Sequence, residues 1–206
     1  MIQLYGLRMS NYYSLTKALL IEKGLAFEEV KAPPTQEEDN LVRSPMGRMP
    51  SIEVDGRYLS ETLAIAAYLE RLQPEPVLIP SDPFAAGKVI ELACHIKLDV
   101  ELVARRCLGA AFFGQTVSDE IKAATDADLD KGMKALDRIF VGTPYAAGSE
   151  LSLADFYTYF SFGLASGVTQ KIFNRDLLEG HDSIKAVMAR MATHPSVARV
   201  EAEKAG

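Results

Sequence analysis

A chain of 206 residues with 48% hydrophobic and 24% charged residues has the composition of a soluble globular protein, long enough for one domain or two small ones. Its net charge of −6 with no basic run excludes nucleic acid as the main partner, and no apolar stretch approaches the length of a transmembrane helix. Its two cysteines, Cys94 and Cys107, form no metal or CxxC pattern, and His95, His181 and His194 share no metal spacing, so no metal is expected.

Ile2-Gln3-Leu4-Tyr5-Gly6 reads as a strand that starts at once, without the basic and apolar regions of a secretory signal, which points to the cytoplasm. Leu7 to Ser14 reads as a loop centred on Ser10 and Asn11. Leu15 to Lys23 reads as a helix stopped by Gly24. Ala26 to Lys31 reads as a second strand, so the two strands are expected to be parallel with a right-handed crossover. Residues 32–48, with their prolines and acidic run, are expected to be irregular with at most a short helix.

Gly47-Arg48-Met49-Pro50-Ser51-Ile52-Glu53-Val54-Asp55-Gly56 is the most informative stretch. Ser51 to Val54 alternates polar and apolar residues, and Asp55-Gly56 is a type I′ hairpin signal. Pro50 cannot donate to a sheet ladder and belongs at the strand's beginning or outside it. A cis Met49-Pro50 bond there would turn the backbone N–H and C=O of Met49 outward, where they could clamp an extended peptide. Leu63, Ala66, Leu69 and Leu72 then mark a helix whose N-terminus carries Glu61 and Thr62.

Pro74, Pro76, Pro80 and Pro83 mark a linker. Everything beyond it reads as helix. Asp82-Pro83 is a helix start, and Val89, Leu92, Ala93, Ile96, Val100 and Val103 line one face. Ser118 opens a second helix, and Ser152-Leu153-Ala154-Asp155 opens a third through a capping box, which assigns Ser152 and Asp155 to structure. Two shorter helices are expected around 184–192 and after Pro195. The expected division is 1–76, a linker 77–83, and a helical domain 84–206.

The stretch G-R-M-P-S-I-E-V-D-G-x-x-L-S-E-T-x-A-I-x-x-Y-L resembles the glutathione-binding half of the cytosolic glutathione transferases, with Met49 for the usual Val and Thr62 for the usual Ser. S-L-A-D-F resembles the capping box of that family's helical domain. The resemblance implies an α/β thioredoxin-like N-terminal domain followed by an all-α domain. It implies a cytoplasmic, homodimeric transferase that activates the thiol of glutathione for attack on a small hydrophobic electrophile, as in detoxification. In that likeness Arg48 meets the glycine carboxylate, Met49 before Pro50 pairs with the cysteinyl part, and Glu61 and Thr62 hold the γ-glutamyl group. The family's activating residue sits in the loop after the first strand. One register gives that role to Ser10 and another to Asn11, with Tyr5, Tyr12 and Tyr13 as further thiol-site or second-substrate candidates. Capping of the following helix is the competing role for Ser10 and Asn11. A glutathione-dependent isomerase or reductase is the related alternative. A binding protein of the same fold, like the stringent-starvation regulators, is the alternative outside enzymes.

Overall fold

The computed structural model describes residues 1–204. Its packing divides the chain into two units, one of Met1–Leu78 and the chain from Thr193 onward, the other of Ile79–Ala192.

The first unit is built on a mixed four-stranded sheet of β1 (Ile2–Gly6), β2 (Phe27–Lys31), β3 (Ser51–Val54) and β4 (Arg57–Ser60) in the order β2-β1-β3-β4. β1 runs parallel to β2 across the helical crossover, and antiparallel to β3 with Tyr5 opposite Ser51. β3 pairs with β4 from Val54–Arg57 to Ser51–Ser60. The turn between them has φ of 51° at Asp55 and 72° at Gly56, the two positive values a type I′ hairpin requires. Ile2 and Leu4 of β1 and Ile52 of β3 are buried beneath α1 (Asn11–Glu22) and α3 (Thr62–Leu72), which pack on one another. α2 (Glu38–Arg43) is the short helix of the irregular excursion and touches β3 and β4. α1 begins at Asn11, four residues before the position its apolar spacing suggests. Ser10 caps it, and Tyr13 and Ser14 are buried within its first turns.

The second unit is helical. α4 (Pro83–His95) begins at the Asp82 cap, whose carboxylate accepts from the Ala85 N–H at 2.8 Å. The single helix expected from the apolar face of Val89 to Val103 is not one helix. It widens into a π-helical stretch at Ile96–Glu101, then passes through α5 (Leu102–Ala104), a 3₁₀ turn at Arg105–Cys107 and α6 (Leu108–Phe112). A side chain at Gly132 of α7 (Asp119–Leu136) would approach the Asp99 carbonyl to 2.3 Å, so a glycine is what lets α7 lie against the widened turn. Glu101, fully buried there, accepts from Ser161 Oγ of α8 (Leu153–Phe173) at 2.6 Å and from Arg105 Nε at 2.7 Å. α9 (Asp182–Ala192) packs on α8.

α10 (Pro195–Lys204) follows, and it packs against α1 and is grouped by packing with the first unit. Lys17 of α1 pairs with Glu203 of α10, and Glu22 of α1 lies 2.7 Å from His194 just before α10, long-range contacts that no local pattern announces.

The capping box of α8 forms as its spacing implies. Asp155 Oδ2 accepts from the Ser152 N–H at 2.8 Å and from Ser152 Oγ at 2.9 Å, and Oδ1 accepts from the Ala146 N–H at 2.7 Å. Burial raises the Asp155 carboxyl above its usual value despite those donors. Asp155→Ala orphans three buried donors, and each costs about 1–3 kcal/mol. Urea unfolding is expected to show a loss of at least about 3 kcal/mol; a loss below 1 kcal/mol would contradict a structural role.

Candidate functional site

Three segments meet at one end of the sheet because β3 is paired on both sides. Ser51 lies opposite Tyr5 on one side and opposite Ser60 on the other. One step further along both ladders, Gly6, Pro50 and Glu61 stand side by side, each at or just past the end of its strand. The helices that follow these strands open soon after them, α1 at Asn11 and α3 at Thr62. Their N-terminal amides give this end a local positive potential.

Met49-Pro50 is a cis peptide bond. The β3 ladder begins at Ser51, so the N–H and C=O of Met49 lie outside it. The loop before them is braced. The Arg48 N–H donates to Ser44 Oγ at 3.3 Å, the Thr35 N–H to the Gly47 carbonyl at 3.2 Å, and Asn40 Nδ2 to the Thr35 carbonyl at 2.9 Å. Gly47 has a φ of 64°, and a Cβ there would sit 2.3 Å from the Thr35 carbonyl oxygen. Only glycine suits both demands. The Arg48 side chain is exposed.

Glu61 has φ 70° and ψ 121°, a strained conformation for a residue with a side chain. Such strain persists only where the surroundings enforce it, and it clusters at binding sites. Its side chain is exposed, its carbonyl accepts from the Ile65 N–H at 2.9 Å, and Thr62 after it is buried.

Ser10 is the N-cap of α1. Its Oγ accepts from the Tyr13 N–H at 3.4 Å, and its own N–H donates to the Leu7 carbonyl at 2.9 Å. The capping role is therefore real, and in it the hydroxyl is the acceptor. The hydroxyl proton is left to donate elsewhere. Asn11, the first residue of α1, is half-buried, as is Tyr12, whose carbonyl accepts from Thr16 Oγ1 at 3.0 Å.

Two of the tyrosine candidates point elsewhere. Tyr5 lies on the sheet face opposite Leu4, where its hydroxyl is 2.6 Å from both Glu53 Oε2 and Gln3 Oε1 and its ring lies under the Arg43 guanidinium. Burial and the bond to Glu53 push its phenol up to about 12. Tyr13 is buried, and its hydroxyl donates to Glu29 Oε2 at 2.6 Å. Burial and that bond raise its phenol as well. Neither phenol is placed to give its proton to a ligand at the end of the sheet. The Tyr13 ring does form the floor there: a Cβ at Gly6 would lie 2.5 Å from Tyr13 Cδ2 and 3.4 Å from Met49 Cβ.

Sequence reasoning missed the charged cluster behind this floor. Glu29 of β2 accepts from Arg8 Nε at 3.0 Å and Nη2 at 2.7 Å, from Lys17 Nζ at 2.7 Å and from Tyr13. The buried Lys17 also pairs with Glu203, and Arg8 Nη1 donates to the Glu203 carbonyl at 3.0 Å. The only sequence signal was a lysine inside the apolar face of α1. Burial alone would raise the Glu29 carboxyl, but the bonds from Arg8, Lys17 and Tyr13 outweigh it and hold the group at about 2. A carboxyl held below its ordinary 4.5 contributes stability that is present above that value and lost as the pH falls through about 2. Glu29→Gln is therefore expected to be less stable than wild type at pH 7, with the gap closing as the pH falls from 4.5 towards 2. A gap that stays constant over that range in chemical unfolding would contradict the assignment.

Among the described residues no group of three or more His, Cys, Asp or Glu could hold a metal ion, and no helix is long and apolar enough to cross a membrane.

This geometry coincides with a family match over most of the chain. The family model described as "Glutathione S-transferase, N-terminal domain" matches residues 4–77, and the corresponding C-terminal domain model matches residues 106–204. A curated glutathione S-transferase from Pseudomonas putida (strain F1) is 41% identical over 204 residues, covering 99% of this chain and 93% of its own. A probable maleylacetoacetate isomerase from Drosophila melanogaster is 31% identical over 121 residues, 54% of this chain and 45% of its own. Among solved structures, glutathione transferase F2 from Populus trichocarpa superposes with a TM-score of 0.82 at 17% identity, covering 100% of both chains, which speaks for the fold. The chain belongs to the glutathione S-transferase family, enzymes whose co-substrate is glutathione. The chain has the family's N-terminal thioredoxin-like domain, built on the mixed sheet, and its mostly helical C-terminal domain.

Proposed function

We propose that this chain binds glutathione at the end of the sheet where Ser10, Met49-Pro50 and Glu61-Thr62 converge, and lowers the pKa of its thiol for attack on a small hydrophobic electrophile. The observation that supports this reading is the register at Ser51, which ends β1, β3 and β4 together in a chain of this family, next in sequence to Met49-Pro50 and Glu61-Thr62.

The backbone of Met49, outside the ladder, pairs with the cysteinyl part of the tripeptide. The Arg48 guanidinium meets its glycine carboxylate. Glu61 accepts from the γ-glutamyl ammonium. The Thr62 hydroxyl and the amides that open α3 receive the γ-glutamyl carboxylate. The Ser10 hydroxyl donates one hydrogen bond to the sulfur, which favours the thiolate. The N-terminus of α1 adds partial positive charge in the same place. An unperturbed thiol near pKa ~8.5 is only a few per cent ionised at pH 7. A drop of about two units needs about 2.7 kcal/mol, within reach of one or two aimed hydrogen bonds and a helix N-terminus. The thiolate then forms a carbon–sulfur bond, and the leaving group departs with its electron pair. The protein acts in the cytoplasm as a homodimer, as such transferases do.

The likeness to the Drosophila relative favours a second reading within the same chemistry. A thiolate that adds reversibly to the double bond of a maleyl-type acid allows rotation and then elimination, so glutathione is regenerated. Turnover of chlorodinitrobenzene against that of a maleyl-type acid separates the two.

Ser10→Ala is expected to lower kcat/KM for conjugation by about 10–100-fold and to raise the apparent pKa of the pH–rate profile, with glutathione affinity within about twofold of wild type. Asn11→Ala is expected to do less. Loss confined to Asn11→Ala would transfer the role to Asn11. Retention on glutathione resin with no turnover on either substrate would favour a binding protein instead. Sedimentation is expected to give twice the 22.5 kDa chain mass; a monomer at micromolar concentration would contradict the dimer.

A further inference from the structure

We propose that Glu29 is a positioning residue for the Ser10 hydroxyl: it grips the chain on both sides of Ser10, through Arg8 before it and Tyr13 after it, and anchors that grip to α10. The inference rests on the thiol-activating role proposed above for Ser10.

The turn that carries Ser10 is exposed at Met9, which is 71% accessible. Among its local bonds are the Ser10 N–H to the Leu7 carbonyl, the Ser14 N–H to the Ser10 carbonyl and Ser14 Oγ to the Arg8 carbonyl at 3.3 Å. Glu29, on an edge strand, holds the turn from outside. Arg8, two residues before Ser10, meets both Glu29 oxygens with two parallel N–H groups, the geometry that gives a guanidinium–carboxylate pair its directionality. Tyr13, three residues after Ser10, donates its hydroxyl to Glu29 Oε2 and its backbone N–H to Ser10 Oγ. Lys17, one turn further along α1, completes the set on Oε1. Two carboxylate oxygens offer about four acceptor positions, and four donors occupy them.

The grip reaches two other places. The Tyr13 ring lies over Gly6 beside Met49, so the residue that Glu29 holds is also the floor under the cis-peptide loop. Arg8 and Lys17 both continue to Glu203 of α10, which Arg199 holds in turn at 2.8 Å. A helix almost two hundred residues away in sequence thus closes the network around the Ser10 turn.

A glutamine at position 29 replaces one acceptor oxygen by an NH₂ that faces Arg8 and Lys17 or Tyr13 with donor against donor. Lys17 keeps Glu203, so Glu29→Gln is expected to fold. Arg8→Met, at a half-exposed side chain, is the second variant and disturbs the fold less.

The test uses the full chain and two readouts. In amide hydrogen exchange without ligand, both variants are expected to speed exchange at residues 8–14 on the order of tenfold, with the β1–β2 ladder unchanged. In pH titration of the thiolate absorbance of bound glutathione, Glu29→Gln is expected to raise the thiol pKa by about half a unit to one unit. On a Ser10→Ala background the same change is expected to shift it by nothing further, because Glu29 acts through Ser10. Unchanged or uniformly faster exchange, or an equal shift on both backgrounds, would overturn the proposal. A wild-type protein that does not depress the thiol pKa would overturn the role of Ser10 instead, and the exchange readout alone would then decide the role of Glu29.

Discussion

The double pairing of β3 is the constraint on which the rest depends. Ser51 is bonded in one ladder to β1 and in the other to β4, and both ladders end at that residue. Antiparallel neighbours that end together bring the exit of β1, the entry to β3 and the exit of β4 to one place. Pro50 cannot extend either ladder because it has no N–H. The backbone groups of Met49 are thereby left beyond the sheet, and α3 opens directly after β4 ends. A site for an extended, anionic peptide needs unpaired backbone and helix N-termini in one place. The proposed site rests on this end of the sheet for that reason.

Charge burial sets the second layer. Lys17 is almost wholly inaccessible, and a buried ammonium is costly unless its partners are close. Glu29 and Glu203 supply them, from β2 and from α10. This explains why the last helix packs with the sheet-bearing unit: it brings a counter-charge that α1 requires. The same carboxylates hold Arg8 and, through Glu29, Tyr13. The bonds that satisfy Lys17 thus also hold residues on both sides of Ser10.

The legible parts of the sequence were those whose physics is local. Asp55-Gly56 announced a hairpin because few residues tolerate two successive positive φ values, and both are present. Pro50 announced the beginning of a strand, and the Ser152–Asp155 spacing announced a cap. The start of α1 was misplaced because Asn11, Tyr12 and Tyr13 carry no apolar repeat, whereas tertiary burial of Tyr13 extends the helix to the Ser10 cap. The break at Ile96–Glu101 was invisible because a widened turn keeps the apolar face that an unbroken helix would show. Tyr5 stood beside the site in sequence, but strand alternation turns its side chain to the other face. The charged cluster joins residues 8, 13, 17, 29 and 203, and no periodicity links such separations.

The most direct test of the account is an experimental structure with glutathione bound. The account predicts the sulfur within about 3.5 Å of Ser10 Oγ, the Met49 N–H and C=O paired with the cysteinyl residue, and the γ-glutamyl group between Glu61 and Thr62. A tripeptide that pairs with Met49 but has its sulfur on another donor, with Ser10 Oγ out of reach, would contradict the assignment of thiol activation to Ser10. A tripeptide seated away from Met49 and Thr62 would contradict the site itself.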